Sequence, residues 1–204
     1  MSSSAAGIVL AGASALGASG AAPFTFDDSI SADAAAPIAA PIAAKRRFGE
    51  ANDLRFNVLA GAASDFANTE IAQGGVGLSW FALDSFSVEL ELLGMGVFQD
   101  EGDDAAGADL NVLFRWHFWH DEAHRISVYG DAGVGFALFS EEVPPGGTNF
   151  NFAPQIGAGA SFELQEGTRL LVGVRWLHLS NARLGADNDG IDTVLVYAGL
   201  SWGF

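Results

Sequence analysis

Three residues near the C-terminal end of the chain could perform acyl transfer together. His178 and Ser180 stand two apart in the stretch WLHLSNARLGADNDGID, and Asp192 closes it. A serine hydroxyl is a weak nucleophile until a neighbouring imidazole takes its proton, and an acid can hold that imidazole in the working tautomer. Asn181 and Asn188 lie in the same stretch, and asparagine amides can donate to an oxyanion. The same residue types also make an ordinary polar loop. What separates the two readings is which elements carry the residues and which way they face.

From residue 52 onward the chain breaks into eight strand-like segments: 52–62, 73–83, 86–98, 107–119, 125–139, 150–163, 168–181 and 191–203. The separators DS, DEA and QEGT are short. ASDFANTE, QDEGDDAAG, EEVPPGGTN and ARLGADNDG are longer, and short alternates strictly with long. This pattern predicts an all-β fold, an eight-stranded antiparallel up-and-down barrel with tight turns at one end and loops at the other. The barrel is assigned to residues 51–204. Residues 1–22 are read as a signal peptide, small and apolar over 5–22. Residues 23–50, with ADAAAPIAAPIAA, are read as a flexible Pro/Ala-rich linker.

Side-chain parity separates two faces, because successive residues of a strand point to opposite sides. In the fourth segment Leu110, Val112, Phe114, Trp116 and Phe118 share one side, while Asp109, Asn111, Arg115 and His117 share the other. The third and fifth segments repeat the pattern, with Phe86, Val88 and Leu90 against Ser87, Glu89 and Glu91, and Val134 and Phe136 against Tyr129 and Asp131. One face is therefore bulky and apolar. The other carries Arg55, Arg115 and Arg175 against Glu89, Glu91, Asp109 and Asp131, charges that could pair across a narrow lumen. A transmembrane barrel with lipid outside and a polar, filled interior satisfies both faces. A lipocalin-like soluble barrel is the opposite assignment, and it would have to put charges outside and pack phenylalanines within. Trp202 and Phe204, like Trp116, Phe118 and Trp119, fall at the short-turn end, where an aromatic girdle belongs.

The net charge of -16 argues against nucleic acid as a partner. With no cysteine, disulfide and thiol chemistry are excluded. Outside the N-terminus there is no apolar run of 18 residues, so spanning helices are not expected.

In the seventh segment Arg175 must face the lumen, which turns Trp176, His178 and Ser180 toward lipid at the long-loop end. On the returning strand Asp192 shares the lipid-facing parity of Val194 and Val196. A symmetric hairpin would set Asp192 opposite Ser180 and diagonal to His178. A nucleophile, a base and an acid on that face suit an ester whose acyl chain already lies in the membrane.

These residues resemble the signature of the PagL-type lipid A 3-O-deacylases of Gram-negative outer membranes, which are eight-stranded barrels carrying His-x-Ser-Asn near the outer end of strand seven. The resemblance implies His178 as base, Ser180 as nucleophile, Asn181 as the adjacent motif asparagine and Asn188 as the oxyanion asparagine. It places a glutamate where this chain has Asp192, one methylene shorter, and Asp187 or Asp189 could take over if Asp192 does not reach. It further implies lipid A of lipopolysaccharide as substrate, an outer-membrane location and no metal or cofactor. A homodimer stays open. The alternative is a non-catalytic structural or binding barrel with a degenerate motif. A third reading puts a lipid-modifying site in the lumen, around Arg115 and His117.

Other motifs carry less. His117 and His120 of HFWHDEAH differ in parity, so a solvated turn is preferred over a metal site with His124. No helix follows GDAGVGF at 130–136, so its glycines are read as relief of crowding in a narrow barrel. The acids of QDEGDDAAGAD are read as solvated loop charge.

Overall fold

The computed structural model describes residues 47–185 and 190–204. Residues 1–46, which hold the stretch read as signal peptide and most of that read as linker, lie outside them, as do Asp187, Asn188 and Asp189. Eight strands follow in order: β1 Leu54–Ser64, β2 Thr69–Leu83, β3 Phe86–Gln99, β4 Ala105–His120, β5 Ile126–Val143, β6 Thr148–Gln165, β7 Thr168–Leu179 and β8 Ile191–Gly203. Each pairs antiparallel with the next, and β8 pairs back to β1, so the sheet closes into an up-and-down barrel.

The strict short/long alternation read from sequence does not hold, because the β4–β5 connection, 121–125, is as long as 100–104 and longer than 65–68 or 144–147; the strands also reach further at the loop end. β2 starts at Thr69 rather than 73, β5 runs to Val143 rather than 139, and β6 begins at Thr148. Acidic and Gly/Pro-rich composition made these stretches look like loop. The inward positions nonetheless keep their pattern, with Ala105 and Val143 buried. The β7–β8 connection, 180–190, is the longest of the eight-stranded circuit.

The exposure pattern inverts that of a soluble protein. Trp116 is 60% exposed and Phe114 53%, while Arg115 between them is 2% exposed. A continuous apolar exterior around a charged interior is stable only against hydrocarbon. The lipocalin-like assignment is thereby overturned, and the chain is a transmembrane barrel.

Inside, the lumen is layered. Its middle holds an ion network: Arg175 reaches Glu91 and Asp131 at 2.9 Å each, and Arg115 reaches Asp131 at 2.9 Å and Glu89 at 3.4 Å. Each guanidinium also lies over a tyrosine ring, Arg115 over Tyr129 at 4.3 Å and Arg175 over Tyr197 at 4.4 Å. The two phenols hydrogen-bond at 2.9 Å. Room for these rings comes from Gly159 and Gly173, where a Cβ would stand 2.5 Å and 2.6 Å from a tyrosine Cζ. Two charges pair differently from the cross-lumen expectation. Arg55 bonds Ser201 and Asp53 near the turn end, and Asp109 accepts from Asn111 at 2.7 Å. The polar-lumen expectation also fails at the loop end, where Leu93, Met95, Val97, Val143, Leu177, Leu179 and Ile191 form an apolar core.

At the turn end, Phe48 packs into the barrel mouth. Its ring lies 3.7 Å from the Arg169 guanidinium and 5.4 Å from the Phe81 ring. Residues 47–50, read from sequence as the end of the linker, thus belong to the folded barrel.

The ion network sets a stability expectation. Arg175→Met would leave Glu91 and Asp131 facing each other without this cation. A loss of about 3–5 kcal/mol is expected for breaking one partner of a buried pair. A lower urea midpoint for unfolding from micelles or vesicles would show it, and an unchanged midpoint would contradict the network's role.

Candidate active site

β7 carries the site because its two faces are anchored differently. Leu177 and Leu179 point inward, each 0% exposed, and lock the strand's end onto the apolar core. The alternate residues Trp176, His178 and Ser180 therefore face outward. β8 is held likewise by Ile191 inside, which turns Asp192 out.

The β7–β8 register pairs His178 directly with Asp192 and Trp176 with Val194. This corrects the sequence expectation, which put Asp192 opposite Ser180. Side chains directly opposite on neighbouring strands have Cβ atoms about 4.5–5.5 Å apart, so a short acid suffices. His178 Nδ1 and Asp192 Oδ1 stand 2.8 Å apart. The His178 side chain is 23% exposed and that of Asp192 66%. With Nδ1 donating to the carboxylate, Nε2 is left as the basic nitrogen.

Two residues that sequence reasoning missed hold the imidazole. Trp176 stacks on it, with ring centroids 5.7 Å apart and planes at 20°. Gly190 packs against its edge with φ +73°, and a Cβ there would stand 2.6 Å from Cε1 and 2.9 Å from Nε2. Both signals were in the sequence: Trp176 shares the parity of His178, and a glycine just before a strand marks a turn. Gly190→Ala would combine left-handed strain with a collision on the His178 ring. Displacing a catalytic group by about an ångström costs roughly 10²-fold, so a 10- to 100-fold fall in kcat is expected in micellar assays. Full activity would show that the ring is free to move aside.

Ser180 joins β6 through a two-hydrogen-bond bridge to Phe152, at 2.8 and 3.1 Å. No hydrogen bond joins Ser180 Oγ to a described residue. The structure thus unites His178 with Asp192 and places Ser180 two residues on, on the same outward face. Catalytic hydrogen bonds are often long before substrate tightens them.

Asn181 is 1% exposed, on the opposite parity to Ser180. Its Oδ1 accepts from the Arg183 N–H at 2.9 Å, and its carbonyl accepts from the Leu184 N–H at 3.0 Å. These bonds make it an organiser of the turn after Ser180. Asn188, the other amide candidate, lies outside the described residues, together with the reserve acids Asp187 and Asp189.

Beside Ser180, on the same outer face, Phe136, Phe150 and Phe152 pack ring to ring at 5.3–6.3 Å. On the barrel's top, Asp192 and Gly190 border a cleft of about 440 Å³ that also includes Asp65, Gln99 and Pro144. The site therefore lies between an aromatic, lipid-facing patch and a polar cleft. The alternative lumen site fails on access. Arg115 is sealed in the ion network, and His117 is 5% exposed and bonded to Ser127 at 2.8 Å. His120 and His124 stack on the β4–β5 turn instead of joining His117.

Comparison with known proteins adds to this geometry. The family model described as lipid A 3-O-deacylase (PagL) matches residues 53–201. The lipid A deacylase PagL of Pseudomonas aeruginosa is 33% identical over 106 residues, covering 49% of this chain. That alignment spans 57% of the relative's own length. The crystal structure of the outer membrane enzyme PagL superposes with a TM-score of 0.53 at 25% identity, covering 71% of this chain and 97% of that one. The N-terminal β-barrel domain of Pseudomonas aeruginosa OprF superposes at 0.52 with 14% identity, covering 76% and 98%, a likeness of fold alone.

Proposed function

The chain belongs to the lipid A 3-O-deacylase (PagL) family, and we propose that it is a serine esterase of a bacterial outer membrane, removing the 3-position hydroxyacyl chain of lipid A. The observation that carries this reading is the 2.8 Å His178–Asp192 pair on the lipid-facing surface, with Ser180 two residues on. A lipid ester in the outer leaflet meets that face without leaving the bilayer, its acyl chain along Phe150 and Phe152.

In the proposed reaction the Ser180 hydroxyl attacks the ester carbonyl as His178 Nε2 takes its proton. Asp192 stabilises the imidazolium through Nδ1. Asn188 and backbone amides receive the oxyanion. The tetrahedral intermediate collapses as His178 returns the proton to the sugar 3-oxygen, leaving an acyl-serine. Water, deprotonated by His178, then releases the hydroxy acid. Asn181 positions the turn that carries Ser180, and no step calls on a metal or cofactor.

Expression in an outer membrane, with lipid A read by mass spectrometry, tests the reaction. The mass of one hydroxyacyl chain should disappear. A fluorophosphonate ester should label the purified protein on the peptide containing Ser180. Unchanged lipid A together with an unlabelled Ser180 would leave the non-catalytic barrel as the reading.

A further inference from the structure

The turn after Ser180 is a strained piece of backbone. Ala182 has φ 52° and Arg183 φ 61°, and the Leu184 N–H closes back on the Asn181 carbonyl at 3.0 Å. Positive φ at both central residues describes a type I′ turn, a conformation that favours glycine or asparagine. Alanine and arginine there carry a Cβ that crowds the backbone in the left-handed region. Asn181 holds the turn by accepting from the Arg183 N–H at 2.9 Å. Such strain persists only where the surroundings impose it, and it clusters at functional sites.

The strain places one cation at a distinctive point. Among the described residues of the loop end, Arg183 is the only lysine or arginine, and it is exposed. The rim around it is acidic, with Asp65, Asp100, Glu101, Asp103, Glu141 and Glu142. Arg183 forms no ion pair with a described residue. Its Cα lies within about 10 Å of that of Ser180, the reach of three extended residues. Gly185 closes the turn against the outer end of β6, where a Cβ would stand 2.9 Å from Thr148 Cγ2. Arg183 thus belongs to the β6–β7 side of the barrel, beyond the outer end of the aromatic patch of Phe136, Phe150 and Phe152. On this side the Phe136 and Phe152 rings lie level with Ser180, Phe150 lies two residues further out, and the exposed Arg183 follows Ser180 at the rim.

We propose that Arg183 is the headgroup anchor of the site, binding a phosphate of the lipid A substrate and so setting which lipid the barrel accepts. This rests on the deacylase reading above. A guanidinium fork matches a phosphate in a two-point, charge-assisted contact. An otherwise acidic rim would repel that anion. Arg183 is a positioning residue here, acting on where the ester lies relative to Ser180.

The test pairs variants with two substrates, bisphosphorylated lipid A and the same lipid enzymatically dephosphorylated, in micelles at fixed salt. Arg183→Ala should raise KM on the phosphorylated substrate about tenfold, the value of one charge-assisted contact, with kcat within about twofold. On the dephosphorylated lipid it should match the wild type. Arg183→Lys should fall between, since an ammonium keeps the charge and loses the fork. Arg183→Gly relaxes the left-handed strain and removes the side chain. It should be as impaired as alanine on phosphorylated lipid A. A glycine variant with wild-type activity, an equal loss on both substrates, or no loss on the phosphorylated one would each overturn the proposal. A wild type inactive on both substrates would instead remove the deacylase reading on which it stands.

Discussion

Ser180→Ala is expected to lower deacylation by roughly 10⁴- to 10⁶-fold, the usual consequence of deleting the nucleophile of a Ser-His-acid site. The barrel should be unharmed. Ser180 is held by backbone hydrogen bonds to Phe152, which alanine keeps. Its hydroxyl has no hydrogen bond to a described residue to lose. A change at a half-buried, outward position with no such bond to lose is worth within about 0.5 kcal/mol. The His178–Asp192 pair should also survive, because β7–β8 register and inward leucines set it. Lipid A mass spectra from cells making the variant should match those from cells lacking the protein, at equal amounts of folded barrel. A variant that still removes a hydroxyacyl chain would put the nucleophile elsewhere.

Asp192→Asn should reduce kcat by about 10²- to 10⁴-fold with KM nearly unchanged. An amide can offer its NH₂ to His178 Nδ1, which favours the tautomer whose Nε2 carries the proton and cannot act as base. The lower end of that range is favoured because the carboxylate is 66% exposed and its charge is screened. Asp192→Glu is the informative partner. Direct opposition of residues 178 and 192 already lets the short acid reach Nδ1. An added methylene should therefore bring no gain, and a several-fold loss is expected. A glutamate variant faster than the wild type would mean that Asp192 under-reaches in catalysis. An asparagine variant with full activity would move the acid's role to another carboxylate.

Much of this was legible one strand at a time. Parity alone assigned Trp116 and Arg115 to opposite faces, and it turned His178, Ser180 and Asp192 toward lipid. The alternation is imposed by the pleat and needs no knowledge of a partner strand. Strand ends were less legible. Ala105 and Val143 sit in acidic or Pro/Gly-rich surroundings that look like loop, yet packing against the apolar core at the loop end extends both strands. The seating of Phe48 in the barrel mouth was invisible, because the rings and guanidinia that receive it come from β1, β2, β4 and β7.

The sequence by itself determined the strand count, the closed antiparallel topology, the lipid-facing surface and the residue types at its outer edge. Tertiary structure decided their pairing. Setting Asp192 opposite Ser180 or opposite His178 differs by two residues of register, and a two-residue slip returns every side chain to the same face. No pattern of polar and apolar residues can register that difference. It is settled by where Leu179 and Ile191 seat in the apolar core, and so by contacts with strands distant in the chain. The same seating brings Gly190 against the imidazole edge, which completes the support of the His178 ring.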